Sequence, residues 1–308
     1  MSDWAYCPKC ATPLPPDATA CPACGATTPS APTEPSDGGA GPQQTDEDLR
    51  ALEAALEKAL SPSYILVRRI GTGGMGSVFL ARDPALKRLV AVKVLAPALA
   101  ANEAARARFE REAQAVARLS HPNIVAIHSV GQLDDGTPYF VMQHVGGKSL
   151  AARLAEEGPF STDETRRIVG EVASALAAAH QQGIIHRDIK PANVLYDDET
   201  GRVLVSDFGI AAVRPVGEQP QQTKLTMTGM AVGTPRYMSP EQLLAEEVTE
   251  KTDVYALGLL GYELLTGVGP FQATSPQELI AAHLRDTPKP LSDAREDVDP
   301  ELESAITR

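Results

Sequence analysis

Residues 46–60 read DEDLRALEAALEKAL, and Leu49, Leu52, Leu56 and Leu60 recur at helical spacing on one face. Asp46, Glu47 and Asp48 stand where a helix N-terminus favours negative charge. The pattern predicts a short amphipathic helix over 46–61 whose apolar stripe packs on the domain that follows. Ahead of it, ATTPSAPTEPSDGGAGPQQT (residues 26–45) has almost no apolar bulk to offset its own ordering entropy, so it reads as a flexible linker. After Pro62 come short β-type runs, YILVRRI, SVFLA and LVAVKVL, separated by turns, and later long helical patterns. A small sheet first and helices afterwards is an α+β order. Capping boxes mark two helix starts, Ser161 with Glu164 and Ser275 with Glu278, the second with Pro276 at the first helical position. No internal repeat is visible.

Length and charge narrow the picture. The 308 residues leave room for one large or two ordinary domains plus an appendage, and the net charge of −12 argues against a nucleic-acid partner over most of the surface. No run approaches the roughly twenty apolar residues of a membrane span; VYALGLLGYELLTGV is interrupted by Glu263 and rich in glycine. The chain therefore reads as soluble, and any membrane span would lie beyond residue 308. Met1 to Tyr6 has neither the basic start nor the apolar core of a signal peptide, which points to the cytoplasm.

All four cysteines fall in CPKCATPLPPDATACPACG. In a reducing compartment two C-x-x-C pairs read as the tetrahedral thiolate ligands of a structural zinc ion, here Cys7, Cys10, Cys21 and Cys24, rather than as disulfides. Pro8 and Pro22 preset the turn inside each pair, and the spacer Ala11–Ala20 is long enough for a small hairpin. Residues 1–25 resemble the minimal zinc ribbons at the ends of many bacterial proteins.

IGTGGMGSVFLA carries Gly71, Gly73 and Gly76 in G-x-G-x-x-G spacing. Dinucleotide folds use the same spacing to open a helix, but here a strand follows, so the glycines form a hairpin tip able to fold backbone N–H groups over phosphates. VAVK places Lys93 on a later strand, and an ammonium that holds α/β-phosphates needs a carboxylate to fix its reach. Glu112, in the helical stretch RFEREAQAVARL, is the expected partner, with Glu110 and Glu103 as rivals. IIHRDIKPANVL then brings His186, Arg187, Asp188, Lys190 and Asn193, and VSDFG brings Asp207, Phe208 and Gly209.

With GGMGSVFLARD, HPNIV and GTPRYMSPEQ, these motifs make the chain from about Tyr64 onward resemble a bacterial, eukaryote-like serine/threonine protein kinase. The resemblance implies a bilobal α+β fold, a small mainly antiparallel β lobe over about 62–142 and a larger helical lobe over about 146–308, within a kinase domain spanning 62–308. It implies that Asn193 and Asp207 hold Mg²⁺ or Mn²⁺, that Asp188 accepts the proton of the attacking hydroxyl, and that Lys190 meets the γ-phosphate and marks serine or threonine as acceptor. ATP would sit on the glycine tip and Lys93, with Val78, Ala91 and Met142 at the base and Gln143 to Val145 offering backbone hydrogen bonds. Thr226 and Thr228 resemble paired autophosphorylation sites whose phosphate Arg187 would receive, Thr234 a position packed on the catalytic loop, and Asp253 a buried anchor of that loop. The family closes its large lobe beyond the point matching Arg308, with an arginine that pairs with the carboxylate matching Glu241. Protein substrates are the implied partners, and the ribbon is expected to recruit or dock a further protein; a pseudokinase or ATP-binding scaffold is the competing reading, and a zinc-dependent nucleic-acid binder a third.

Overall fold

The computed structural model describes residues 5–6, 13–14, 46–208 and 235–307. At the N-terminus β1 (Ala5–Tyr6) pairs antiparallel with β2 (Pro13–Leu14). The strand in the cysteine spacer thus pairs with the two residues just before Cys7; the remainder of the spacer, where a small hairpin was expected, lies outside the described residues. The four cysteines themselves, like Thr226, Thr228, Thr234 and Gly209, lie outside the described residues.

The rest divides into two compact units. One holds the described residues up to Ala117 together with Ala126–Gly146. Its elements are α1 (Asp46–Leu60), β3 (Ile65–Gly73), β4 (Gly76–Asp83), β5 (Arg88–Leu95), α2 (Pro97–Ala100), α3 (Glu103–Val116), β6 (Ile127–Gln132) and β7 (Pro138–Gln143). The strands form one antiparallel sheet in the order β3-β4-β5-β7-β6. Strand alternation sorts its side chains onto two faces. Phe79, Ala81, Val90, Val92, Val94 and Val141 lie on one, in a single buried cluster with Leu52, Leu56 and Leu60 of α1. The expected stripe is therefore core, with Leu49 half-buried at its edge. Tyr139 donates to the Ala59 carbonyl at 3.5 Å and Lys58 pairs with Asp134 at 2.6 Å, fastening the same helix to the sheet. Register puts Val78, Leu80, Ala91, Lys93, Phe140 and Met142 on the opposite face.

The other unit takes Arg118–Val125 and the described residues from Gly147 on. It contains α4 (Leu150–Glu157), α5 (Thr162–His180), a 3₁₀ turn Pro191–Asn193, β8 (Val194–Tyr196), β9 (Val203–Val205), a second 3₁₀ turn Pro235–Tyr237, α6 (Pro240–Leu244), α7 (Glu250–Thr266), α8 (Pro276–Arg285), α9 (Leu291–Ala294) and α10 (Pro300–Thr307). Arg118–Val125 groups here because the Val125 N–H donates to the Val205 carbonyl at 3.0 Å, the Val205 N–H donates to the Asn123 carbonyl at 2.8 Å, and the Asn123 side chain donates to the Val203 carbonyl at 2.8 Å. The core is α5 against α7, through residues such as Ile168, Val172, Leu260 and Leu264. The glycines that made α7 look unlike a membrane span have a packing reason: a Cβ on Gly258 would come within 2.8 Å of the Ile306 carbonyl, so α10 can approach only a bare backbone. Among the described residues no helix is long and apolar enough to cross a membrane.

Both expected helix starts form, each by half of the box. Ser161 and Ser275 accept from the N–H of Glu164 and Glu278 at 3.2 Å. Glu164 instead meets Arg153 at 3.3 Å, and Glu278 reaches back to Thr274, one residue before the cap.

Candidate active site

In the first unit, β3 and β4 close on Gly73 and Gly76, with Gly74 and Met75 at the tip. The motif glycines Gly76 and Gly73 have different reasons to be there. Gly76 has φ 151°, and a Cβ on it would fall 1.9 Å from the Val94 carbonyl, so the sheet itself demands glycine. A Cβ on Gly73 or Gly74 would meet nothing within 4 Å. The fold does not require bare backbone at the tip, which fits backbone laid against a phosphate-bearing ligand.

Lys93 is 6 % exposed in the middle of β5, opposite Val78 on β4 and Phe140 on β7. Helix α3 packs on β6 and β7, its Phe109 ring 5.1 Å from that of Phe140. Glu112 lies one turn after Phe109 and shares the inward face with Ala113 and Val116. Of the rival carboxylates, Glu110 accepts a hydrogen bond from Gln132 on β6, and Glu103 is exposed in the first turn of α3. Met142 is buried on the Lys93 face, next to Ala91 in register. One expectation narrows: the Gln143 N–H donates to the Ala126 carbonyl at 2.8 Å, so a base would find only its carbonyl.

In the second unit the loop from His186 to Asn193 is hung from α7. Asp253 is fully buried, and its carboxylate accepts from the His186 N–H at 2.8 Å and the Arg187 N–H at 2.7 Å. The imidazole Nε2 of His180, from α5, lies 2.7 Å from the same group. His186 Nδ1 faces the Asp188 N–H at 3.2 Å, so Nε2 carries the proton and donates to the Ser206 carbonyl at 2.8 Å. Burial pushes His186 below its ordinary pKa against the pull of Asp253, which agrees with this neutral tautomer. Its ring lies 4.6 Å from Phe208, next to Asp207.

These supports converge on Asp188. Asn193 donates to its carbonyl at 2.8 Å and to its carboxylate at 2.9 Å, and the Lys190 ammonium lies 3.0 Å from the same carboxylate. With its amide nitrogen used twice, Asn193 has Oδ1 left to offer, an oxygen ligand suited to a hard cation. Asp207 would be a second such ligand. The backbone at Arg187 and Asp207 is left-handed, with φ 68° and 62°. The Arg187 side chain is exposed although its backbone is fixed.

Sequence reasoning missed several supports. Glu241 was expected to need an arginine. Burial opposes its ionisation, but a hydrogen bond from Thr252 and others from backbone and Ser239 hold it below the usual carboxylate range. Gln242 accepts from the Ser239 N–H at 3.0 Å and donates to the Arg187 carbonyl at 2.8 Å, joining the stretch after the activation segment to the catalytic loop. Glu171 of α5 accepts from the Val203 N–H at 2.8 Å and from Asn123 at 3.0 Å, fixing β9 three residues before Ser206.

Residues 64–307 match the model of the protein kinase domain. The chain belongs to the protein kinase family. The kinase is 39% identical over 256 residues to the serine/threonine-protein kinase pkn3 of Myxococcus xanthus, covering 82% of this chain and 46% of that protein. Against the serine/threonine-protein kinase PknB of Mycobacterium leprae the figures are 41% over 252 residues, 81% and 40%. It thus spans less than half the length of these curated relatives. The solved PknI kinase domain of Mycobacterium tuberculosis superposes with a TM-score of 0.60 at 33% identity, over 80% of this kinase and 87% of that chain. The α+β class expected from the texture of the chain is the class of this kinase fold. Residues 6–28 separately match a zinc-ribbon domain.

Proposed function

We propose that the chain is an ATP-dependent protein kinase that transfers the γ-phosphoryl group to serine or threonine hydroxyls of protein acceptors. The observation that carries this reading is Asp188 held by both Lys190 and Asn193 on a loop suspended from Asp253. The acceptor oxygen bonds to the γ-phosphorus, the bond from that phosphorus to the β–γ bridging oxygen breaks, ADP leaves, and the hydroxyl proton passes to the Asp188 carboxylate. Lys190 offers its ammonium to the γ-phosphate, the bare tip at Gly73 offers N–H groups, and Lys93 steadied by Glu112 holds the α/β-phosphates. Val78, Ala91 and Met142 make the apolar face for adenine, and the Gln143 carbonyl with the Val145 backbone reads its edge. Mg²⁺ or Mn²⁺, held by Asn193 and Asp207, would neutralise charge on the phosphate oxygens. The serine/threonine-kinase names of the relatives support the choice of acceptor.

Residues 1–25 are read as a zinc ribbon in which Cys7, Cys10, Cys21 and Cys24 form a closed structural site. It is tethered by 26–45 and docks a protein partner outside the chemistry. The kinase region would act in the cytoplasm, switched on by autophosphorylation at Thr226 and Thr228. The test is Asp188→Asn: transfer should fall by about 10²–10⁴-fold while ATP binding persists, because only the proton acceptor is removed. Undiminished turnover overturns the assignment, and a wild-type chain that binds ATP without transferring phosphate would instead be a scaffold.

A further inference from the structure

The hydroxyl of Ser206 has no part in the chemistry described above, yet it lies between the two proposed metal ligands. The β8–β9 ladder ends on Val194 opposite Val205, and Ser206 carries it one residue further, its N–H donating to the Asn193 carbonyl at 2.9 Å. Its hydroxyl donates to that same carbonyl at 3.1 Å. A carbonyl can only accept, so both protons are supplied by Ser206. The residue is buried, at 7 % exposure, and Asp207 follows it directly.

These bonds close a circuit through the site. The Asp188 N–H donates to His186 Nδ1 at 3.2 Å, and His186 Nε2 donates to the Ser206 carbonyl at 2.8 Å. Ser206 donates twice to the Asn193 carbonyl, and Asn193 returns its amide to the Asp188 carbonyl and carboxylate at 2.8 and 2.9 Å. Within this circuit the Ser206 hydroxyl is the group that can be removed without touching a proposed ligand, the proton acceptor or the backbone. A single N–H···O bond lets the two residues pivot about its axis, whereas a second donor from the same residue, arriving from another direction, restrains that pivot. Asn193 cannot compensate by turning its side chain, because both Nδ2 bonds hold the amide plane and Oδ1 with it. Asp207, left-handed at φ 62°, goes where the Ser206 backbone goes.

We propose that Ser206 is a positioning residue for the divalent cation that accompanies ATP: its hydroxyl locks the backbone of Asn193 against that of Asp207 and so sets the gap between the two ligand oxygens, without contacting metal or nucleotide itself. The proposal rests on the reading of Asn193 and Asp207 as metal ligands. A small hard cation makes such a lock useful, since Mg²⁺ requires its oxygens at about 2.0–2.1 Å in near-ideal octahedral geometry. Removing the hydroxyl leaves the Asn193 carbonyl its backbone donor, so no buried acceptor is stranded and the fold persists. What is lost is the restraint on the ligand gap, and the loss therefore falls on binding that depends on the metal.

The test measures the Kd of a fluorescent derivative of AMP-PNP, a nonhydrolysable ATP analogue, for the full chain in saturating Mn²⁺ and again in EDTA. Ser206→Ala should raise the Kd in Mn²⁺ by about three- to tenfold, the worth of one neutral hydrogen bond, and leave the Kd in EDTA within about twofold of wild type. Ser206→Thr, which keeps the hydroxyl, should match wild type within about twofold in both. Equal Kd values in Mn²⁺ for wild type and Ser206→Ala, a loss of the same size in EDTA, or a Ser206→Thr variant that behaves like Ser206→Ala overturns the proposal. If the wild type binds the analogue no more tightly in Mn²⁺ than in EDTA, the reading of Asn193 and Asp207 as metal ligands fails. The lock is then judged by hydrogen exchange over 186–194, where unchanged protection in Ser206→Ala refutes it and lost protection supports it.

Discussion

Asp253→Asn is the sharpest single perturbation of the candidate site, because it preserves shape and changes only what one side chain can accept. Three donors converge on this carboxylate: the N–H groups of His186 at 2.8 Å and Arg187 at 2.7 Å, and His180 Nε2 at 2.7 Å. Asparagine does best by keeping its oxygen on the two-donor side and turning its NH₂ toward the Arg187 N–H. That exchange loses one charge-assisted hydrogen bond, about 1.5–3 kcal/mol, and leaves a buried donor facing another, about 1–3 kcal/mol more. The expected loss is therefore about 3–5 kcal/mol. Arg187 is also left-handed, at φ 68°, so freeing its N–H removes the restraint that keeps the loop there. Urea unfolding should show the stability loss. Steady-state kinetics should show kcat down by roughly 10²-fold, the scale of an ångström-sized misplacement of Asp188, with the KM for ATP little changed. A variant within about 1 kcal/mol of wild type and with intact kcat would show that α7 does not anchor the loop.

Leu56→Ala should cost about 3 kcal/mol by thermal or denaturant unfolding, because Leu56 is fully buried between α1 and the sheet. Leu49→Ala, at the half-buried edge, should cost well under half as much; equal effects would mean that the helix is not packed as described. Incubation with Mg-ATP should place phosphate on Thr226 or Thr228 and raise activity, with the exposed Arg187 guanidinium as receiver; full activity in the Thr226→Ala, Thr228→Ala double variant would refute the switch. Elemental analysis should find about one zinc per chain, released by thiol-modifying reagents, and a folded metal-free ribbon under reducing conditions would contradict four thiolate ligands.

The parts of the site that were legible in the sequence are those whose chemistry fixes both residue type and local spacing. The tip glycines, Lys93 on its strand, and Asp188 with Lys190 and Asn193 all lie within short runs, and the structure places them where those runs imply. The illegible parts are contacts between distant segments. Thr252 meeting Glu241, His180 meeting Asp253 and Gln242 meeting Arg187 join residues 11, 73 and 55 positions apart, and nothing local announces them. The capping boxes failed halfway for a related reason: Glu164 had a better partner in Arg153 than the backbone behind it. Helix α1 was legible as a stripe, since burial of Leu52, Leu56 and Leu60 follows from period alone. That it would share one core with Phe79 and Val92 depends on which face of the sheet is free, and only register decides that.

Arg187 and Asp207 set the direction in which this chain can drift. Two of the four described non-glycine residues with positive φ are these, one beside the proposed proton acceptor and the other a proposed metal ligand. A left-handed conformation disfavours an L side chain by about 1–2 kcal/mol, and glycine removes that penalty. Arg187→Gly therefore relaxes the backbone while deleting the guanidinium proposed to receive the activating phosphate, and Asp207→Gly does the same to a metal ligand. Selection for heat resistance alone would enrich such variants, yielding sturdier and silent descendants. Only concurrent selection for phosphoryl transfer keeps these two side chains in place.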